Sequence, residues 1–240
     1  MVTKNQIKRV KSLQQKKYRN LYGQFAVEGV KTVSELLNAD FELVDVYCVS
    51  KQAFNFHNVS TLIISDGALQ KMSSLRSPNG VLAVFKIPKI KPLDTKDWVL
   101  VLDTVQDPGN LGTIIRLCDW FGIRHLVCSH ETVDLYNPKV LQATMGSIAR
   151  VNVVYCDVQG YLRDTSLPVY GAYMKGNSVY ESKLPEKGIL IMGNEANGIS
   201  DVLKRFVKEK IAIPQYGQQS AESLNVATAT AILLHEIRRI

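Results

Sequence analysis

Apolar and polar positions divide this chain into two blocks. After a basic opening helix, Phe25-Ala26-Val27-Glu28-Gly29 reads as a short strand running into a glycine turn, and Val33, Leu36 and Leu37 then recur at helical spacing. Leu43–Val49, Thr61–Ile64 and Val81–Phe85 read as further strands; Phe54–Asn58 reads as a loop or helix remnant, and Ser73–Gly80 as turn chemistry. Strands alternating with helices over residues 1–90 predict a small α/β domain. Pro88, Pro92 and the lysines around them make Ile87–Leu93 a linker.

The second block, residues 97–240, opens with Trp98-Val99-Leu100-Val101-Leu102-Asp103, the unbroken apolar run of a strand covered on both faces. Its pattern predicts a helix over about 111–121, a strand at His125–Cys128 and a helix over Pro138–Ser147. Strands follow at Val151–Tyr155, Val169–Tyr173 and Gly188–Met192, then a helix from about Ser200, a strand at Lys210–Ile213 and a closing helix over about 225–239. That order predicts a wound, mostly parallel sheet.

Composition narrows the class. With 240 residues, 46% hydrophobic and 21% charged, the chain can bury a real core and is neither a disordered tail nor a coiled coil. No apolar run approaches the roughly 18 residues of a membrane helix, and the start lacks a secretory pattern, so a soluble, cytoplasmic protein is expected. Cys48, Cys118, Cys128 and Cys156 show no short ligand spacing, which favours buried free thiols and no metal site. The charge is lopsided. Net charge is +7, and the first 27 residues hold Lys4, Lys8, Arg9, Lys11, Lys16, Lys17 and Arg19 with no acid, which accounts for the whole excess. Such a footprint fits a polyanion, most simply nucleic acid; a solvated basic helix is the plainer alternative.

Candidate chemistry sits in three loops that follow strands of the second block, where open parallel sheets bind ligands. They are Asp103–Gly112 with Arg116 beyond, Gly193–Ser200, and Ile213–Gly217 continuing through Ser223-Leu224-Asn225-Val226-Ala227. None is a dinucleotide fingerprint, a phosphate-binding loop or a serine-nucleophile elbow.

Taken together, Asn110-x-Gly112-x3-Arg116, Gly193-Asn194-Glu195-x-x-Gly198-Ile199-Ser200 and Ile213-Pro214…Ser223-Leu224-Asn225-Val226 resemble the three motifs of the SpoU (TrmH-like) RNA ribose 2′-O-methyltransferases of the SPOUT superfamily. Phe25-x-x-Glu28-Gly29 and Gly80–Val84 are similar to that family's amino-terminal substrate-binding domain, whose fold resembles a ribosomal protein. The resemblance implies a parallel sheet tied in a deep trefoil knot, S-adenosyl-L-methionine held by the knot loops, a homodimer, and structured RNA (rRNA or tRNA) as substrate. It implies catalytic or orienting roles for Asn110, Arg116, Glu195, Ser223 and Asn225, and cofactor contacts for Gly193, Ile213 and Leu224. Each residue has a plainer reading: Asn110, Ser223 or Asn225 as helix caps, Arg116 paired with Asp119, Glu195 solvated, Gly193 a turn glycine, Ile213 and Leu224 core. The alternative function is a non-catalytic RNA-binding or ribosome-assembly protein on the same scaffold, for which that polar set would have no use.

Overall fold

The computed structural model describes residues 2–54, 56, 59–217 and 222–239, and the chain packs as two compact units. The first comprises Met1–Lys89 with Asp134–Ala149, the second Ile90–Val133 with Arg150–Ile240. Of the loop Phe54–Asn58, three residues fall outside the described set, as do Gln218–Ala221 of the third motif.

In the first unit the basic start forms two helices, α1 (Lys4–Ser12) and α2 (Lys16–Tyr22), where the pattern suggested one. Thr3 and Gln6 close a capping box at the start of α1. In the intervening turn Gln14 leaves the helical register, and its amide donates to the carbonyls of Met72 and Ser73. Strands β1 (Gln24–Glu28), β2 (Leu43–Cys48), β3 (Leu62–Ile63) and β4 (Val81–Lys86) form a sheet in the order β1-β4-β2-β3. β4 is antiparallel to both β1 and β2, and β3 runs parallel to β2. Helix α3 (Val30–Asn38) follows β1, and α4 (Asp66–Met72), which the pattern did not reveal, packs against α1. Val10, Leu13, Tyr47, Leu69, Met72, Leu82 and Val84 form one core cluster. Burying each larger side chain contributes about 1.5–3 kcal/mol.

The segment Asp134–Ala149 interrupts the second unit's sequence but packs here. Its helix α6 (Pro138–Thr144) buries Val140, Leu141 and Thr144 and lies on β1. Asp134 forms an ion pair with Arg19, whose Nη1 also donates to the carbonyl of Leu13 at 2.8 Å. Arg19 is buried by this pairing, so one of the seven early bases serves the fold and not a polyanion. The helix stops at Thr144, short of the expected Ser147, because Met145 turns to the left-handed region (φ 51°).

The second unit is a six-stranded sheet, β10-β8-β9-β5-β6-β7, with every pairing parallel. Its strands are β5 (Val99–Leu102), β6 (His125–Cys128), β7 (Asn152–Tyr155), β8 (Val169–Ser178), β9 (Ile189–Met192) and β10 (Glu209–Ala212). All four residues of β5, β6 and β9 are buried, as a sheet covered on both faces requires. Helices α5 (Pro108–Trp120), α7 (Val158–Asp164), α8 (Asp201–Lys204) and α9 (Val226–Arg238) connect and cover it. Val99, Val101, Val127, Ile189 and Ile191 meet Val158, Leu162 and Leu203 in its core. Strand β8 runs on well past the expected Tyr173. Its pairing with β10 breaks between Lys210, opposite Gly171, and Ile211, opposite Asn177, so Ala172–Gly176 is left out of register. Among the described residues no helix is long and apolar enough to cross a membrane.

Candidate active site

Strand order reverses sense at one place in the second unit. From β5 the chain moves outward through β6 to β7, then returns on the other side through β8 and β9. Leu102 of β5 is in register with Met192 of β9, so the loops leaving these two strands start side by side at the sheet's carboxyl edge. Such a switch point is where parallel sheets hold ligands.

The first loop is built around Asp103 and Asp107. Asp103, only 3% exposed, donates its backbone N–H to the Met192 carbonyl at 2.9 Å, and its carboxylate accepts from the Ser200 N–H at 2.7 Å. It therefore clamps both ends of the neighbouring loop. Asp107 is the N-cap of α5, accepting from the Asn110 N–H at 2.7 Å, with Pro108 in the first turn. This removes the capping explanation for Asn110, whose side chain is left to act elsewhere.

The second loop folds back on itself. Asn194 and Gly198 exchange backbone hydrogen bonds, both 2.9 Å, and the Asn194 side chain donates to the Thr104 carbonyl (2.7 Å) while accepting from the amides of Ala196 and Asn197. Gly193 is forced by this fold. A Cβ there would lie 2.2 Å from the Gly198 carbonyl carbon and 2.3 Å from the Ile199 nitrogen. The backbone that approaches Gly193 is thus the loop's own.

The third loop ends at Asn225, the N-cap of α9, whose Oδ1 accepts from the N–H groups of Ala227 (2.9 Å) and Thr228 (3.2 Å). With its oxygen so committed, its amide nitrogen must donate outward. It does so to Asn110 Oδ1 at 2.9 Å, and Asn110 Nδ2 donates in turn to Glu195 Oε1 at 2.8 Å. One relay, Asn225 to Asn110 to Glu195, thereby joins all three loops, and each amide has only one orientation that satisfies it.

Beside this relay lies a cavity of about 830 Å³. Gly193, Ile213 and Leu224 line it, as do Glu195 and Ser223; Ile211 and Val226 extend its apolar wall. Leu224 is 47% exposed, so it is not a core residue. Ser223 is exposed and has no hydrogen bond among the described residues. Arg116 lies on α5, exposed, likewise without a hydrogen bond or ion pair among the described residues. Its supposed partner Asp119 is held by Arg150 through paired bonds of 2.8–3.0 Å.

Sequence reasoning missed other residues here. Tyr173, Met174 and Lys175, on the out-of-register part of β8, line the cavity, and so does Lys204. Burial raises the Tyr173 hydroxyl pKa, and a hydrogen bond and charge from Asp201 raise that of the Lys204 ammonium, so Lys204 stays cationic. Gly176 was the available signal: a Cβ there would meet the Lys210 carbonyl oxygen at 2.6 Å. Among the described residues no cluster of His, Cys, Asp and Glu is arranged to hold a metal.

The cavity suits S-adenosyl-L-methionine, the group implied by the motifs. Its volume is ample for a nucleoside with a short side chain, and apolar walls at Ile213 and Leu224 suit an adenine.

Residues 97–235 match the model of the SpoU rRNA Methylase family, and residues 4–83 that of the MRM3-like substrate binding domain. The 23S rRNA (guanosine(2553)-2'-O)-methyltransferase of Bacillus subtilis is 33% identical over 98% of this chain and 97% of its own length. A solved structure from Porphyromonas gingivalis, assigned to the TrmH family, is 39% identical with a TM-score of 0.90, covering 100% of this chain and 99% of that one. An AdoMet-bound rRNA methyltransferase from Sinorhizobium meliloti is 28% identical with a TM-score of 0.87, covering 100% of this chain and 96% of that one.

Proposed function

Since the chain belongs to the SpoU rRNA Methylase family, we propose the following account of what it does and how its residues do it. It is an S-adenosyl-L-methionine-dependent RNA methyltransferase that acts on a ribose 2′-hydroxyl. The observation that carries the site assignment is the relay from Asn225 through Asn110 to Glu195 at the edge of the cavity. A protein that only bound RNA would have no need to lock three loops together around a nucleoside-sized space.

When bound, S-adenosyl-L-methionine supplies a methyl already activated by its sulfonium. The chain's own task is then to bring the 2′-oxygen into line and to stabilise its developing negative charge. Arg116 is the residue for the second task. It acts as a fixed positive charge toward the 2′-oxyanion and adjoining phosphate, not as a base. Asn110, Asn225 and Glu195 fix the loops, and Ser223 places its exposed hydroxyl at the cavity wall. Main chain at Gly193 and the side chains of Ile213 and Leu224 hold the cofactor.

The finer features follow the same family reading. They are a deep trefoil knot in the second unit, a homodimer, a cytoplasmic location, and a division of labour between RNA binding (1–90) and methyl transfer (97–240). The two relatives described as acting on rRNA favour ribosomal over transfer RNA as substrate. Mapping 2′-O-methylation across total RNA from cells with and without the gene tests the activity. One ribose should lose its methyl in the deletion and regain it when purified protein and S-adenosyl-L-methionine are added to the unmodified RNA. An unchanged map, with no transfer in vitro, would leave the non-catalytic assembly role in its place.

A further inference from the structure

The first unit has its own cavity, of about 390 Å³, between the end of β1, the start of α3 and one side of α6. Gly29, in the positive-φ region at 92°, ends the strand and serves as the N-cap of α3 without offering a side chain to it, and the first turn carries no acid. The N–H groups of Val30, Lys31 and Thr32 consequently have no acceptor among the described residues. Thr32 lines the same cavity with 8% of its surface exposed, and its hydroxyl has no hydrogen bond among the described residues. That hydroxyl offers a donor and an acceptor to whatever fills the cavity.

Part of the remaining wall is apolar. Leu75 contributes one side, Pro138 and Met145 of the inserted segment another. Met145 is held at φ 51°, a costly backbone conformation for a residue with a side chain, and is 45% exposed. Glu28 also lines the space, but its carboxylate already accepts from the Ser73 and Ser74 hydroxyls and the Ser74 N–H. A negative charge there disfavours a phosphate inside. Lys31, exposed at the same wall, favours one outside.

We propose that this cavity takes an unpaired nucleobase of the substrate RNA, splayed out of its strand. The base's carbonyl oxygens accept from the first-turn amides of α3 and the Thr32 hydroxyl, its faces lie against Leu75, Pro138 and Met145, and its backbone phosphate meets Lys31. Single-stranded bases read on their edges and packed on their faces are the usual substrate of sequence-selective RNA recognition. The assignment also gives a use to the excursion of Asp134–Ala149, which supplies a wall that the chain before residue 90 lacks. It rests on the RNA methyltransferase reading and deepens it by naming where substrate is recognised.

The test uses the full chain, labelled with ¹⁵N, and a random-sequence single-stranded RNA octamer, with a duplex of equal length and inorganic phosphate as controls. The octamer should shift the amide signals of Val30–Val33, and the duplex should not. Thr32→Val, which keeps shape and removes the hydroxyl, should weaken octamer binding about tenfold, the loss of one buried hydrogen bond. Lys31→Ala should weaken it and flatten its salt dependence. The proposal is overturned if the octamer moves none of these amides, if phosphate alone reproduces the shifts, or if a normally melting Thr32→Val protein binds like wild type. Labelled methyl transfer to RNA is run in parallel. Transfer by wild type with an unchanged KM in Thr32→Val overturns the cavity alone, whereas absence of any transfer by wild type overturns the enzymatic reading.

Discussion

Replacing Asn110 tests the relay, because two substitutions there should differ in a direction that shape alone cannot produce. Asn110→Ala deletes the bond from Asn225 and the bond to Glu195, 2.9 and 2.8 Å. Both partners can turn to water, so each bond is worth about 1 kcal/mol net and the pair about 2 kcal/mol. If transfer requires the three loops joined, kcat/KM should fall about 30-fold. Asn110→Asp keeps the shape and the bond from Asn225, but turns a carboxylate oxygen toward Glu195 Oε1. Two like charges about 4 Å apart repel by roughly 1 kcal/mol in water and about 4 kcal/mol at the effective dielectric of a protein surface. The aspartate should therefore be the worse variant, and salt should recover part of its loss. In a Glu195→Ala background the extra penalty should vanish. The assay is labelled methyl transfer to the mapped RNA, with melting temperature as a control for fold. If Asn110→Asp is no worse than Asn110→Ala, or its penalty survives Glu195→Ala, the relay does not act as described.

Arg116→Ala should leave calorimetric cofactor binding near wild type and cost about 100- to 1,000-fold in transfer rate, with lysine recovering only part of it. Gly193→Ala should abolish cofactor binding and lower the melting temperature, because its Cβ would enter main chain 2.2 Å away; normal calorimetry would contradict the loop's role. Arg238 grips Asp97 with bonds of 2.8 and 2.7 Å, and although burial pushes the Asp97 pKa up, this pairing brings it below the ordinary value. A depressed carboxylate stabilises the fold above its unfolded pKa of about 4 and ceases to as pH drops through the folded value. Unfolding free energies of wild type and Arg238→Met from urea titration should hence differ by about 1 kcal/mol more at pH 7 than near pH 3.

How much of this was readable in the sequence varies with the physics involved. The buried strands β5, β6 and β9 were plain, since a parallel strand covered on both faces has to be apolar at every position. Two of the short helices were not. α4 and α7 have seven residues each, too few for a periodic pattern, and exist because caps at Ser65 and Asp157 and the packing around them hold them. The placement of Asp134–Ala149 was also hidden, because the Arg19–Asp134 ion pair and the packing of α6 on β1 join residues more than a hundred apart in sequence. At the site, the motif residues were visible by type and spacing. What could not be read was that Asp107 takes the cap at α5, leaving Asn110 free to link two loops. Tyr173 and Lys204 were invisible, since the strand slip that brings Tyr173 to the cavity leaves only a glycine as its trace.

The position of the relay follows from the sheet. Adjacent parallel strands whose chains leave in opposite senses open a gap at their carboxyl ends, and β5 and β9 form that gap here. Loops facing a gap expose N–H and C=O groups that no strand pairs, so they need side chains to satisfy them. Asp103, Asn194 and Asn225 each do so, accepting from the amides of Ser200, of Ala196 and Asn197, and of Ala227 and Thr228. Those bonds commit the acceptor oxygens of the two asparagines and leave their amide hydrogens free to point across the gap. Asn194 uses them on the Thr104 carbonyl, and Asn225 uses them on Asn110. Aspartate at either position would still accept from the backbone but would have nothing to donate across the gap. Asparagine meets both needs at these loop positions, local capping and the link between loops, and a single substitution by aspartate separates the two.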